Sequence, residues 1–277
     1  MSSLCSIFIK EIQFNYSLSR EANPTHQIHY HNVYELYYFI EGDADYLVEG
    51  KLYHPTPHSL ILLSPHVFHG VKINSDRPYR RFTLHFQPDF LATQRRALLL
   101  SAFPSQEKHS QKEVYYENMG DTQLPSFFEA LILLHAQPES IQLQLLPVYV
   151  EAILAQLTLV CRTRSPVEVE TIASRTVTEV ISYLNNNLSN NITLDQLAEY
   201  FSISKHYLNR AFKKATGTTI FDYLIHKRVI YAQQLIMNGS TASEAAAQSG
   251  FRDYSVFYRA YCKHIGHTPS EDHSLVQ

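Results

Sequence analysis

The sequence predicts an α+β chain of two domains: an N-terminal β-barrel with trailing helices, then an all-α domain with two helix-turn-helix units joined by a linking helix. Three observations carry that prediction. Up to about residue 115, short alternating or aromatic-rich runs recur between Gly, Pro and Asn/Asp. From about residue 122 helical periodicity replaces them, and the last hundred residues repeat one helix-turn-helix pattern. At 277 residues, 45% hydrophobic and 18% charged, the chain has mass for two separate cores. The expected boundaries are 1–162, a linker at 163–172, and 173–277.

In the first domain the clearest strands are Tyr34–Ile40, Tyr46–Glu49, Ser59–Leu63 and Arg81–Phe86. The last has an apolar face (Phe82, Leu84, Phe86) and a polar one (Arg81, Thr83, His85), and the pattern alone leaves open which looks inward. Among these strands lie His29-x-His31-x-x-x-Glu35 and Pro65-x-x-x-His69. Alternation puts His29 and His31 on one face, with Glu35 returning from the neighbouring strand. Together with His69 they have the chemistry of a divalent-metal site. A polar pocket is the preferred reading, in which His31 and Glu35 hydrogen-bond a small ligand while Tyr37 and Phe39 give a stacking face. Arg81 and His85 are further pocket candidates.

Residues 124–135 and 140–162 read as helices. In the second, Leu146, Val150, Ile153, Leu157 and Val160 form an apolar stripe that must be buried. It packs either on its own barrel or against the same helix of a second subunit, and a homodimer through this helix is expected. The polar, Pro-containing stretch Thr163–Glu170 reads as the interdomain linker.

The first helix-turn-helix unit opens at Thr193, which forms a capping box with Gln196 ahead of Leu194, Leu197, Ala198 and Phe201. Ser204 caps the next helix, whose Leu208, Ala211 and Phe212 repeat at helical spacing. The second unit runs from Ser243 through Gly250-Phe251 to a helix over Tyr254–Lys263, with Gly250 suited to the positive φ that ends a helix. A helix from about Ile220 to Met237 joins them. With Leu208 and Phe212 inward, His206, Asn209, Arg210 and Lys213 face out; with Phe257 and Tyr261 inward, Tyr254, Ser255, Tyr258 and Arg259 do. Asn pairs bidentately with adenine and Arg with guanine.

The net charge of −3 divides unevenly: residues 1–170 hold 13 basic and 18 acidic side chains, and residues 171–277 hold 10 and 8. A locally basic second domain is what duplex DNA requires. Cys5, Cys161 and Cys262 form neither a disulfide framework nor a zinc pattern. No signal peptide or membrane-length apolar run is evident, so a cytoplasmic protein without a membrane partner is expected.

From Val177 to Ser270 the chain resembles the AraC/XylS family of transcription regulators, in ITLDQLAEYFSISKHYLNRAFKKATG (192–217), FDYLIHKRVIYAQQLI (221–236) and GFRDYSVFYRAYCKHIGHTP (250–269). It departs in having Ala245-Ala246 for Ile-Ala, implying a lighter-packed second unit, and Asp272-His273 for Tyr-Arg. The family's base-contact positions fall on His206, Asn209, Arg210, Tyr254, Ser255, Tyr258 and Arg259. The histidine segments resemble the two cupin motifs, although His58 and Val67 stand where the second has glycines. The resemblance implies a cupin-like effector domain and a regulator, an activator by expectation, that meets RNA polymerase at a promoter. Its effector would be a small organic molecule, for which the 19 tyrosines suit a sugar or an aromatic ligand, with no cofactor and no resident metal. The competing readings are a metal-dependent cupin enzyme with a helical appendage and an effector-independent repressor.

Overall fold

The sheets form where β-branched and aromatic residues alternate around tight turns. The computed structural model describes residues 2–23, 28–104, 114–167 and 175–274, and the chain divides into two compact units at about residue 170. In the first unit, strands β1 (Ser2–Ile9), β2 (Ile12–Ser19), β3 (Tyr34–Glu41), β6 (Ser59–Leu63), β8 (Tyr79–Phe86) and β9 (Tyr115–Tyr116) make a six-stranded sheet in the order β1-β2-β8-β3-β6-β9. Strands β4 (Ala44–Val48), β5 (Lys51–Tyr53) and β7 (His69–Ile73) form a second sheet, ordered β5-β4-β7. Tyr37, Phe39, Ile61 and Leu63 from the larger sheet share a buried cluster with Ala44, Tyr46, Val48 and Ile73 from the smaller, so the sheets face one another.

The larger sheet's other face carries Leu36, Tyr38, Leu60, Leu62, Phe82, Leu84 and Phe86, and helices cover it. These are α1 (Thr93–Leu99), α2 (Leu124–His135) and α3 (Glu139–Thr163). The apolar face of β8 therefore meets helices, and Arg81, Thr83 and His85 turn toward the sheet interior. Leu146, Val150, Ile153 and Leu157 of α3 are fully buried in this same cluster. That corrects the expectation that they form a dimer interface: the stripe belongs to the unit's own core. By length and composition α3 is apolar enough to cross a membrane, contrary to the sequence reading. Its buried side chains pack against protein.

The opening of the expected linker is also docked. Arg164 pairs with Asp121 at 2.5 Å and donates to the Asn118 carbonyl, and the Val167 N–H donates to Tyr115 O at 2.8 Å. Residues 168–172 of that linker lie outside the described residues.

The second unit contains α4 (Arg175–Asn186), α5 (Leu194–Tyr200), α6 (Lys205–Thr216), α7 (Ile220–Met237), α8 (Ala242–Gln248), α9 (Tyr254–Ile265) and α10 (Pro269–Ser274). The Thr193–Gln196 capping box is present, and Ser204 Oγ accepts the Tyr207 N–H. The second unit has its own capping box at Thr241 and Glu244, two residues upstream of the expected start. The turns match closely: Ile203 N–H donates to Ala198 O at 2.9 Å, and Phe251 N–H to Ala246 O at 3.0 Å. Ser202 and Gly250, at equivalent places, take φ of 54° and 91°.

Candidate ligand site and nucleic-acid interface

Glu35 is the second residue of β3, opposite Leu63 on one side and His85 on the other, and its side chain is buried between the sheets. The segment before β3 brings His29 and His31 to it. His29 forms an antiparallel backbone bridge with His69, with N–O distances of 2.9 and 3.0 Å. Around one oxygen, Glu35 Oε2, stand His31 Nε2 at 2.9 Å, His69 Nε2 at 3.0 Å and His85 Nε2 at 3.4 Å. The Tyr46 hydroxyl donates to Oε1 at 3.3 Å. Burial alone would raise the Glu35 pKa, but the charge of His69 and hydrogen bonds from His31, His69 and His85 outweigh it. They hold the carboxyl well below the usual range. His29 is exposed and the His31 and His85 side chains are 20% and 25% exposed, so the cluster has a buried floor and a mouth open to solvent.

Four of the expected pocket residues (His31, Glu35, His69 and His85) thus meet, with His29 at the edge, its ring 4.4 Å from that of His69. Tyr37 lies beyond, fully buried, its hydroxyl 2.9 Å from that of Tyr79. Phe39 is also fully buried, against Tyr79, which corrects its expected role as a stacking face for a ligand: it is barrel core. Arg81 shares the inward face of β8 and lies over the Tyr79 ring at 4.8 Å. Sequence reasoning passes over Tyr46 and Tyr79, although strand alternation places Tyr79 on the Arg81 face. His58, where the second cupin motif has glycine, takes the left-handed φ of 60° that a glycine would take. A separate open cleft of about 680 Å³ shares no residue with the cluster. Of its charged groups, Asp45 pairs with His54 at 2.7 Å and with Lys72 at 3.8 Å.

In the second unit, His206, Arg210 and Lys213 project from the exposed face of α6, and Tyr254, Ser255, Tyr258 and Arg259 from that of α9. Asn209 departs from expectation. It is half-buried, and its Oδ1 accepts the Ile220 N–H at 3.3 Å, so it ties α6 to the start of α7. Tyr207, unflagged by the sequence, is 47% exposed beside His206. Among the described residues neither Arg210 nor Arg259 forms an ion pair. The arginine spent on structure is Arg228, which donates to Leu188 O at 2.8 Å and Asn190 O at 2.6 Å. Ala245 and Ala246 are buried in a cluster with Phe251, Phe257 and Tyr261, so small residues suffice there. Buried Asp272 accepts from Gln233 Nε2 at 3.0 Å and from the Tyr261 hydroxyl, and pairs with His267 at 3.0 Å. It fastens α10 to α7 and α9.

Residues 13–146 match the model of the AraC-like ligand binding domain, and residues 197–273 match that of a helix-turn-helix domain. The lactose operon transcription activator of Staphylococcus xylosus is 29% identical over 101 residues, which is 36% of each chain. The match therefore spans about a third of that relative's length. The uncharacterized HTH-type transcriptional regulator YfiF of Bacillus subtilis is 24% identical over 255 residues, 90% of this chain and 79% of that one. A crystallised transcriptional regulator with an AraC-type DNA-binding domain, from Chromobacterium violaceum, is 26% identical over 36% of this chain and 91% of its own, with a TM-score of 0.34. With a ligand-binding domain of the AraC type followed by a helix-turn-helix domain, the chain belongs to the AraC family of transcription regulators.

Proposed function

We propose that this chain binds operator DNA as a homodimer through α6 and α9, senses a small polar molecule at the Glu35 cluster, and acts on RNA polymerase at a promoter, most simply as an activator. The observation that carries the DNA reading is the repetition of one capped, tight-turned helix pair, each with a solvent-facing second helix bearing an arginine that forms no ion pair among the described residues. The 18 residues of α7 extend about 27 Å at ~1.5 Å per residue, comparable with the roughly 34 Å between successive major grooves. That length supports reading by both helices from one side of the duplex. An enzyme built on the barrel would leave both helix-turn-helix units without a role.

The test is selection of DNA from a random duplex pool by the full chain. A single enriched motif is expected. Arg210→Ala and Arg259→Ala should each cost about 1–3 kcal/mol and relax preference at one base pair. A pool that yields no motif would sink the proposal.

A further inference from the structure

The two solvent-facing helices of the second unit are built to one plan. Each is 12 residues long, opens on a side-chain cap and closes on a left-handed glycine: Ser204 and Gly217 bound α6, Asp253 and Gly266 bound α9. Leu208 and Phe212 bury the inner face of α6, as Phe257 and Tyr261 bury that of α9. One constant offset in sequence relates all of these pairs, so the helices compare residue by residue. His206 then matches Ser255, Asn209 matches Tyr258, and Arg210 matches Arg259. Outside the base-contact positions that the family resemblance implies, the exposed apolar side chains that match are Tyr207 and Val256.

These two residues share a local setting. Each is third in its helix and donates its N–H to the cap, Tyr207 to Ser204 Oγ at 3.3 Å and Val256 to Asp253 Oδ1 at 2.9 Å. Their exposures are 47% and 44%. Each also heads an exposed stripe at i, i+3 and i+7, Tyr207-Arg210-Lys214 on α6 and Val256-Arg259-Lys263 on α9. An apolar group, a guanidinium and an ammonium thus follow one another down both helices. Local stability does not account for the apolar member. Tyrosine and valine are weak helix formers, and both side chains stand in solvent.

Their place determines what they can meet. In a helix-turn-helix the first residues of the second helix reach base edges in the major groove. The apolar feature there is the thymine C5-methyl, while arginine takes O6 and N7 of guanine. Residues three apart on a helix have Cβ atoms roughly 5–6 Å from each other. Successive bases on a strand are about 3.4 Å apart, so such a pair of side chains spans neighbouring base pairs. We infer that Tyr207 and Val256 read thymine, each packing on the methyl group of a thymine in the base pair next to the guanine taken by Arg210 or Arg259. The inference rests on the DNA reading proposed above. It gives each helix a two-base-pair preference, a guanine beside a thymine, where the arginine alone would give one base pair.

The experiment uses the full chain and the duplex enriched from the random pool. Each thymine is replaced in turn by deoxyuridine, which removes the methyl group and leaves the pairing edge and backbone unchanged, and affinity is read by fluorescence anisotropy. Wild type is expected to lose about fourfold at one thymine for each helix, the worth of one buried methyl group. Each such thymine should adjoin the position where Arg210→Ala or Arg259→Ala relaxes preference. Tyr207→Ala and Val256→Ser should each bind thymine and deoxyuridine alike at one of the two positions and keep the loss at the other. Tyr207→Phe should behave as wild type, because the ring and not the hydroxyl makes the contact. Circular dichroism checks that the variants are folded, and the deoxyuridine scan on wild type stands without them. Deoxyuridine at no cost to wild type, a motif with no thymine beside those guanines, or a loss that persists in both variants would overturn the inference. A pool that enriches no motif removes the DNA reading and this inference with it, whereas a motif without the methyl effect removes only the inference.

Discussion

Asn209 and Arg210 are neighbours on α6 with different work to do, and their hydrogen bonding separates them. Asn209 Oδ1 accepts the Ile220 N–H, one of the donors that the first turn of α7 leaves without an intrahelical partner. Asn209→Ala is therefore expected to cost about 0.5–1.5 kcal/mol of stability, read as a lower denaturation midpoint, while the selected DNA motif stays the same. A changed motif at full stability would return Asn209 to the base-reading set. Gly250 shows a comparable constraint in the second turn. Its φ is +91°, and a Cβ there would sit 2.5 Å from Leu188 O and 3.0 Å from Arg228 Nε. Ser202 occupies the equivalent left-handed position in the first turn with a side chain, so close approach adds to conformation in requiring glycine at 250.

At the scale of the element, α3 has two apolar faces with the same spacing and different fates. The stripe through Leu146, Val150, Ile153 and Leu157 is core. The opposite face carries Ile141, Leu145, Val148, Ala152, Ala155 and Leu159, spaced alternately by four and three residues, the a/d pattern of a two-helix seam. Of these, Val148 and Leu159 are 60% and 61% exposed. A second copy of α3 is the occupant such a repeat suits. Val148→Asp with Leu159→Asp is expected to leave a folded monomer by light scattering, because burying each apolar side chain contributes roughly 1.5–3 kcal/mol to association. Leu157→Asp should instead unfold the first unit, since it places a charge in a dry core. A double variant that still runs as a dimer would remove this face as the interface.

For the whole molecule, the division of charge matters more than its total. A chain of net −3 gains little from nonspecific attraction, and phosphate contact falls to the locally basic second unit. Affinity for the selected duplex should fall linearly in log–log form with salt, and Lys213→Ala should reduce the slope by about one while leaving the preferred sequence unchanged. An unaltered slope would place Lys213 away from the backbone.

Local chemistry determined a large part of this protein. Thr193 with Gln196, Ser204, Gly250 and the 3.6-residue spacing of Leu208 and Phe212 set helix limits and faces through contacts only a few residues long, so they were legible in sequence order. Strand alternation likewise put Arg81, Thr83 and His85 on one side. Which side faces inward was decided by what packs on the other, helices α2 and α3, about forty to eighty residues away in sequence. The same holds for the burial of the α3 stripe, for Phe39 as core, and for Asn209 as a brace. The meeting of His85 with Glu35 needs β3 and β8 paired in one register, and that of His69 with Glu35 needs the two sheets packed face to face. Sequence supplied the donors; only long-range packing could turn them toward a single oxygen.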